Sequence, residues 1–413
     1  DLERAMLNGG EGPEGLFDAS RPIPWGGDTQ YRITSTLGNS IFAAAYLIMA
    51  FPLTLLRIYK AFKDLFDARE NLVPRFFLAT VLVFIAGMQV IAIYFTQSRG
   101  PALGWLFSLF FMGLLYALCW RKRWLAYTIA VSSVLGAGFL IILNLPGGSL
   151  ESLRNYPGVG RFGQLLDSES RNAKVRRIIW EGAAELVSPH DPIMYPDGSS
   201  DRFNFLRPLI GYGPESMYVA YNPFYPPELT QVEKRNASPD RSHNETWDSL
   251  VTGGVLGLGA YLFLFTSVFY YGLKWLWLIA GPRQRNLFLA LFLGGGLAGA
   301  VAFPIWRGIA YLGVGLPFGM LIGLVIYVLV AVALGAGPVL NNQGKKARAA
   351  LLIGLLGVIG AHFVEINFGI AIVSTRTYFF LAAALLLLVG SILPRQGLFG
   401  SAAETAPEVN LEA

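Results

Sequence analysis

The sequence predicts an all-α polytopic membrane protein with about nine transmembrane helices and one large extracytoplasmic loop. Three observations predict it. Apolar residues make up 54% of the 413-residue chain and charged residues only 14%, a balance with little surface to offer water. Apolar runs recur at about 37–56, 76–95, 102–119, 125–145, 249–273, 286–303, 308–334, 350–368 and 370–393, each near the ~20 residues that cross a ~30 Å hydrocarbon core. Finally, the short loops alternate between basic and neutral, the signature of a fixed orientation.

The basic loops come first. Arg57, Lys60, Lys63, Arg69 and Arg75 follow the first run, and Arg121-Lys122-Arg123 joins the third and fourth. Lys274, Arg283 and Arg285, then Lys345, Lys346 and Arg348, and finally Arg395 complete the set. The positive-inside rule places these in the cytoplasm. The predicted organisation is therefore an extracytoplasmic N-terminal segment (1–36), four transmembrane helices (37–145), a large extracytoplasmic loop domain (146–248), five transmembrane helices (249–393) and a cytoplasmic tail (394–413). That tail, polar and Ala/Glu-rich, has the composition of a disordered end. The chain begins at Asp1 without an initiator Met or a signal-peptide pattern, so further N-terminal helices are expected upstream.

Composition also excludes function classes. The net charge of +5 resides in the loops between apolar runs, which speaks for topology and against nucleic acid. A single cysteine, Cys119, allows no disulfide within the chain. No Walker A, GxGxxG after a strand, HExxH or Cys/His metal spacing occurs, and no Asp-x-Asp suggests a nucleotide-sugar metal site. No metal or other cofactor is expected.

The loop at 146–248 is too long for a passive connection. Asp167 or Ser168 can cap a helix that runs to Val187, where Ser188-Pro189 stops it. Val175, Ile178, Ile179, Gly182, Ala183 and Leu186 share one face of that helix. Arg176 and Trp180 lie one turn apart on the edge of the face, and Arg177 points toward the polar side. His190, between Pro189 and Asp191-Pro192, reads as a turn residue. The segment from Asp197 to Asp201 departs from a calcium loop in spacing and reads as a turn. Tyr212, Tyr218, Tyr221 and Tyr225 suit either sugar stacking or the membrane interface, the commoner place for tyrosine beside a bilayer.

The loop ends in Ser242-His243-Asn244-Glu245, with capping-box spacing. Ser242 is then the cap, Glu245 the third helical residue, and His243 part of the first turn. The positive end of the helix dipole keeps such an imidazole neutral near pH 7, as a general base for a sugar hydroxyl requires. Asn244 and the free backbone N–H groups at that helix end attract anions. The alternative is a capping box that only starts a helix, with His243 solvated.

Arg32, Arg99, Arg176, Arg177, Arg241, Arg307 and Arg376 all fall outside or near outer span ends. Arginine grips phosphate through a planar, permanently charged fork, so a cluster there suits a lipid-linked diphosphate. Each alone also suits a headgroup anchor or an ion pair. His362 and Glu365, one turn apart inside the eighth run, are functional suspects by position. A cavity lining or a buried His–Glu hydrogen bond is the simplest role for them. Gly253, Gly257 and Gly294 to Gly296 read as close helix contacts.

Four stretches carry a resemblance. They are Arg32-Ile-Thr-Ser-Thr-Leu-Gly-Asn39; Ser98-Arg99-Gly100; Arg176-Arg177-Ile-Ile-Trp180 with Gly211-Tyr-Gly-Pro214; and His243-Asn244 with Gly254 and Gly257. In this order and topology the chain resembles the bacterial O-antigen ligase and O-antigen polymerase superfamily, membrane glycosyltransferases of GT-C type. The resemblance implies metal-independent, inverting transfer of a glycan from undecaprenyl diphosphate to an acceptor hydroxyl at the outer face of the bacterial cytoplasmic (inner) membrane. It implies His243 as base, Arg176 as principal phosphate ligand, and Arg99, Arg32, Arg177 and Arg241 as further candidates. Asn244, Glu245, Trp180 and Tyr212 would support them. The expected partners are a lipid-linked glycan donor, a glycan, lipid or protein acceptor, membrane lipids and other membrane proteins. The alternative function is a non-catalytic membrane subunit of a larger complex with the same fold.

Overall fold

The computed structural model describes residues 33–145, 148, 150, 152–153, 171–195, 197–233 and 238–398. Among them are nine helices long and apolar enough to span a membrane, and no strand beyond an isolated bridge between Met194 and Ser200. The protein is a multi-pass, all-helical membrane protein. The first four spans are α1 (Ser40–Phe66), α2 (Leu72–Thr96), α3 (Arg99–Cys119) and α4 (Arg123–Asn144). A connecting region carries α5 (Arg171–Val187), then three single-turn helices, α6 (Arg207–Ile210), α7 (Met217–Ala220) and α8 (Leu229–Val232). The remaining spans are α9 (Glu245–Trp275), α10 (Pro282–Arg307), α11 (Leu312–Ala333), α12 (Gln343–Glu365) and α13 (Val373–Leu387), the last extended by a π-helical turn, Leu388–Ile392.

Several helices outrun their apolar stretch. α1 continues to Phe66, so Arg57, Lys60 and Lys63 decorate its last turns rather than a loop. α12 starts at Gln343 and takes in Lys345, Lys346 and Arg348 in the same way. Backbone hydrogen bonding extends a helix past the lipid core, because long basic side chains there reach the headgroups. Lys63 Nζ donates to Gln343 Oε1 and ties the two basic ends together.

α12 is the central post. Nearly every residue from Leu352 to Glu365 is buried, against α3 and α1 on one side and α9 and α13 on the other. Small residues permit the closeness: a Cβ on Gly104 of α3 would sit 2.6 Å from the Ala361 carbonyl of α12. Gly100, beside Arg99, is held as tightly, 2.7 Å from Phe368 Cβ by the same construction. This brings the start of α3 directly against the end of α12.

The expected glycine contacts divide. Gly295 and Gly296 of α10 pack on α11 at Gly319 and Met320, but Gly253 and Gly294 face open space. The decisive glycine in α9 is instead Gly254, at φ +60 and ψ −157, where the helix breaks. Its neighbour across the break is the Leu209 backbone, and a Cβ on Gly211 would meet Gly253 N at 2.5 Å. Carbonyls freed by the break accept from the connecting region: Tyr212 N donates to Val251 O at 2.8 Å and Gly213 N to Thr252 O at 2.9 Å. A left-handed φ at both glycines lets the two backbones touch.

Candidate functional site

The site forms where α5 packs on the start of α9. That start is tied to α13 by Glu245 and Arg376 and to the turn after α12 by the Ile366 carbonyl, and the start of α3 packs on the same turn at Phe368. The apolar face of α5 is the predicted one: Ile178, Ile179, Ala183 and Leu186 are buried, with Trp180 at its edge. Gly182 lets Tyr221 and the Phe224 carbonyl approach. Tyr221 is fully buried and its hydroxyl donates to the Ile179 carbonyl at 3.2 Å, so this tyrosine is a core residue and neither a sugar platform nor an interfacial one. The Asp167 or Ser168 cap lies outside the described residues.

Trp180 holds the residue before His243. Its indole Nε1 donates to the Ser242 carbonyl at 2.8 Å. From there the geometry departs from the expected capping box. The cap is Asn244, in extended conformation, with its Oδ1 accepting from Trp247 N at 3.1 Å. Ser242 cannot cap because Asp248 occupies it: the Ser242 amide and hydroxyl both donate to Asp248 Oδ1, at 2.8 and 2.7 Å. Glu245 is therefore the first helical residue, and its carboxylate accepts from Arg376 Nη2 at 3.0 and 3.3 Å. Its amide donates to the Ile366 carbonyl at 3.0 Å. His243 sits ahead of the helix rather than in its first turn.

Asn244 does more than cap. Its Nδ2 donates to the carbonyls of Gly313 at 2.8 Å and Asn367 at 3.0 Å, joining the starts of α9 and α11 to the turn after α12. The Gly313 contact is close enough to exclude any side chain there. Trp247 adds a bond from Nε1 to the Ala310 carbonyl at 3.1 Å. The backbone on either side of His243 is thus fully pinned.

His243 itself has φ +59, a left-handed conformation that costs a non-glycine residue roughly 1–2 kcal/mol. Strain of this kind persists where the surroundings over-determine it. The half-buried ring is neutral: burial, then the charge of Arg176, pulls its pKa down to about 4, against a smaller upward pull from Asp240 and Glu233. The neutrality expected from the helix dipole is present, but burial and a neighbouring guanidinium are its causes.

Arg176 is the second half of the site. Burial and the charge of Arg99 lower its pKa to about 10, and Glu365 opposes that fall. It remains a cation at neutral pH, and its charge is felt by His243 as those of Arg99 and of Glu365, at the end of α12, are felt by it. Among the described residues, neither the Arg176 guanidinium nor the His243 ring has a hydrogen-bond partner. Its neighbour Arg177 turns outward and pairs with Glu181 one turn on, at 2.8 Å. One residue of helical phase separates a committed arginine from an uncommitted one.

The other candidates distribute as follows. Arg99, half-buried at the first position of α3, joins the site. Arg241 is engaged by Glu215. Arg307 lies over the Trp306 ring at 4.4 Å, and Arg376 belongs to Glu245. Tyr212 turns away from His243: its hydroxyl meets His190 Nε2 at 2.7 Å and the Leu186 carbonyl at 3.4 Å. Its part is to link the α9 break to α5. Arg32 lies outside the described residues. His362 and Glu365 do not form the expected hydrogen bond, because Nδ1 and Oε2 are 3.8 Å apart, beyond bonding range. Both side chains are buried with unpartnered polar atoms, and Glu365 faces the site through Arg176.

Sequence reasoning missed Asp248 and Asn367 as parts of this junction, and the link of Glu365 to Arg176. Asp248 carried a signal, since an acid in the first turn of an apolar helix has donors to satisfy. Asn367 had none, because its partners Asn244 and Thr246 are more than a hundred residues away in the chain. Glu365 was marked by being ionisable inside a span, but nothing local tied it to Arg176. Comparison with family profiles, with characterised proteins and with solved structures finds no match to this chain.

Proposed function

We propose that this protein transfers a glycan from an undecaprenyl-diphosphate-linked donor to an acceptor hydroxyl, working at the outer face of the bacterial cytoplasmic membrane with the connecting region on that side. The observation that carries this reading is a left-handed, backbone-pinned His243 at the start of α9, its imidazole kept neutral by burial and by the charge of Arg176, an arginine with no hydrogen-bond partner among the described residues. Arg176 and Arg99 supply positive charge where a diphosphate leaving group needs it. His243 supplies a base that is unprotonated at neutral pH. The order of motifs in the O-antigen ligase and polymerase resemblance supports the same assignment.

The chemistry balances without a metal step. The acceptor oxygen attacks the anomeric carbon from the face opposite the diphosphate. The bond from that carbon to the phosphate oxygen breaks, and its electron pair leaves with the diphosphate. The hydroxyl proton passes to His243. Arg176 neutralises the charge that grows on the departing phosphate, with Arg99 adding to the field. The bound anion also raises the basicity of His243, because an opposite charge nearby favours imidazolium. Base strength therefore rises when the donor is in place.

The test is transfer by the purified protein from a lipid-diphosphate glycan donor. His243→Asn keeps a residue that tolerates left-handed φ and removes the base. It is expected to fold normally and lose transfer by about 100-fold or more. Undiminished turnover contradicts the assignment.

A further inference from the structure

The connecting region carries an apolar surface that the site does not use. Phe203, Phe205, Leu209 and Ile210 are exposed, Phe205 by 79%. They occupy the stretch strapped by backbone bonds to the break in α9 at Gly254. Immediately below that break, Val255 and Leu256 of the span are exposed as well, at 58% and 59%. The Leu209–Ile210 backbone touches Gly254, so the exposed apolar residues of the strap and of the membrane helix meet at the break.

The position of the break fixes its height. From Val255 to Trp275 a helix covers about 31 Å at 1.5 Å per residue, the thickness of a hydrocarbon core. Lys274 marks the far end, its ammonium 5.9 Å from the ring centroids of Tyr270 and Tyr271, a pairing suited to a headgroup boundary. With that end at one boundary, Gly254 falls at the other.

The strap is also rigid and turned to present these side chains. Arg207 points inward, its Nε 2.7 Å from Asp201 Oδ2, its Nη1 donating to the Gly211 carbonyl at 3.1 Å, and its guanidinium over the Tyr212 ring at 5.0 Å. The charge of Arg207 is thereby neutralised, and Arg202 is exposed next to Phe203. Rings and branched aliphatics beside one outward cation fit a phospholipid boundary, with acyl chains below and phosphates level with the guanidinium.

We propose that residues 202–210 are an interfacial anchor, inserted into the headgroup–acyl boundary of the leaflet on the His243 side. Through Tyr212 the anchor is joined to α5 at Leu186 and to His190 in the turn after it, and so it sets the height of Arg176 relative to the lipid phosphates. This holds whether or not the site transfers a glycan, since the partner is the bilayer itself.

Depth measurement tests it. Cys119 is buried, so Phe205→Cys introduces an accessible thiol for a nitroxide label on the full chain in phosphatidylethanolamine–phosphatidylglycerol liposomes. Glu228→Cys, at an exposed position on α8's approach, is the aqueous reference. The label at position 205 is expected to be more accessible to oxygen than to a water-soluble nickel chelate, with the reverse ratio at position 228. Equal ratios at the two positions overturn the anchor. Spin–spin broadening at position 205 together with loss of oxygen accessibility also overturns it, because a second copy would then cover the patch. An independent check is Leu209→Cys, which is expected to give the same sense of ratio as position 205.

Discussion

The α10–α11 pair and the junction at the start of α9 solve the same problem, holding helices together in lipid, by opposite means. In the first, Gly295, Gly299, Gly315, Gly319 and Gly323 bring backbones into direct contact, with no ionised group between them. Close packing of small residues drives association where lipid leaves no hydrophobic force between helices. In the second, Ser242, Asn244, Glu245 and Asp248 are buried, each held by a hydrogen bond or ion pair. Next to them stand a strained histidine and an arginine without a hydrogen-bond partner among the described residues. Satisfied buried polar networks specify a unique geometry, whereas uncommitted groups inside such a network gain nothing for stability. The difference separates a joint from a site.

Substitutions can sharpen that contrast. The largest expected effect is His243→Asn, which removes about 100-fold or more of transfer activity while thermal stability holds. The pH dependence of kcat/KM provides a second view of the same residue. A base must be unprotonated, so activity is present above the free-site pKa and lost as pH falls through it. The acid limb is expected near 4, where burial and Arg176 hold the imidazole, rather than near the ordinary histidine value of roughly 6.5. A limb at the ordinary value would mean a solvated ring.

Asn244→Ala comes next, as a stability effect. It removes a cap and two tertiary hydrogen bonds, together worth roughly 2–4 kcal/mol, readable in a thermal unfolding midpoint. Arg176→Lys replaces a fork with a point charge. Losing charged hydrogen bonds of roughly 1.5–3 kcal/mol each is expected to raise donor KM by tens of fold. Gly299→Leu tests the other region: overpacking against the Gly315 backbone destabilises by roughly 1–3 kcal/mol, with transfer per folded molecule unchanged. The smallest effect belongs to Arg177→Lys, whose partner is an exposed Glu181; stability and KM are expected to move by less than about 0.5 kcal/mol.

Much of the fold is legible in the sequence, because hydrophobic run length is a local property. The nine apolar runs correspond to the nine spans, and the differences are at ends: charged residues extend several helices past the apolar run, and the runs at 350–368 and 370–393 take in the turn between Glu365 and Val373. The inward phase of Arg176 is legible for the same reason, since periodicity along α5 places it one turn from Trp180. The cap of α9 is not. Ser242 and Asn244 both satisfy local cap preferences, and the choice is made by Asp248, Gly313 and Asn367 together. Gly254 is likewise indistinguishable from Gly253 in the chain, yet only one of them faces the Leu209 backbone. The counter-charge of Glu365 on Arg176 bridges α12 and α5, a distance no local pattern encodes.

In the proposed reaction the Arg176 guanidinium receives a diphosphate opposite the His243 imidazole. A structure of the protein with an undecaprenyl-diphosphate-linked glycan tests it most directly. Phosphate oxygens are expected about 3 Å from the Arg176 nitrogens, with the anomeric carbon on the His243 side. A diphosphate seated on other arginines, with the space between Arg176 and His243 filled by water alone, would contradict it.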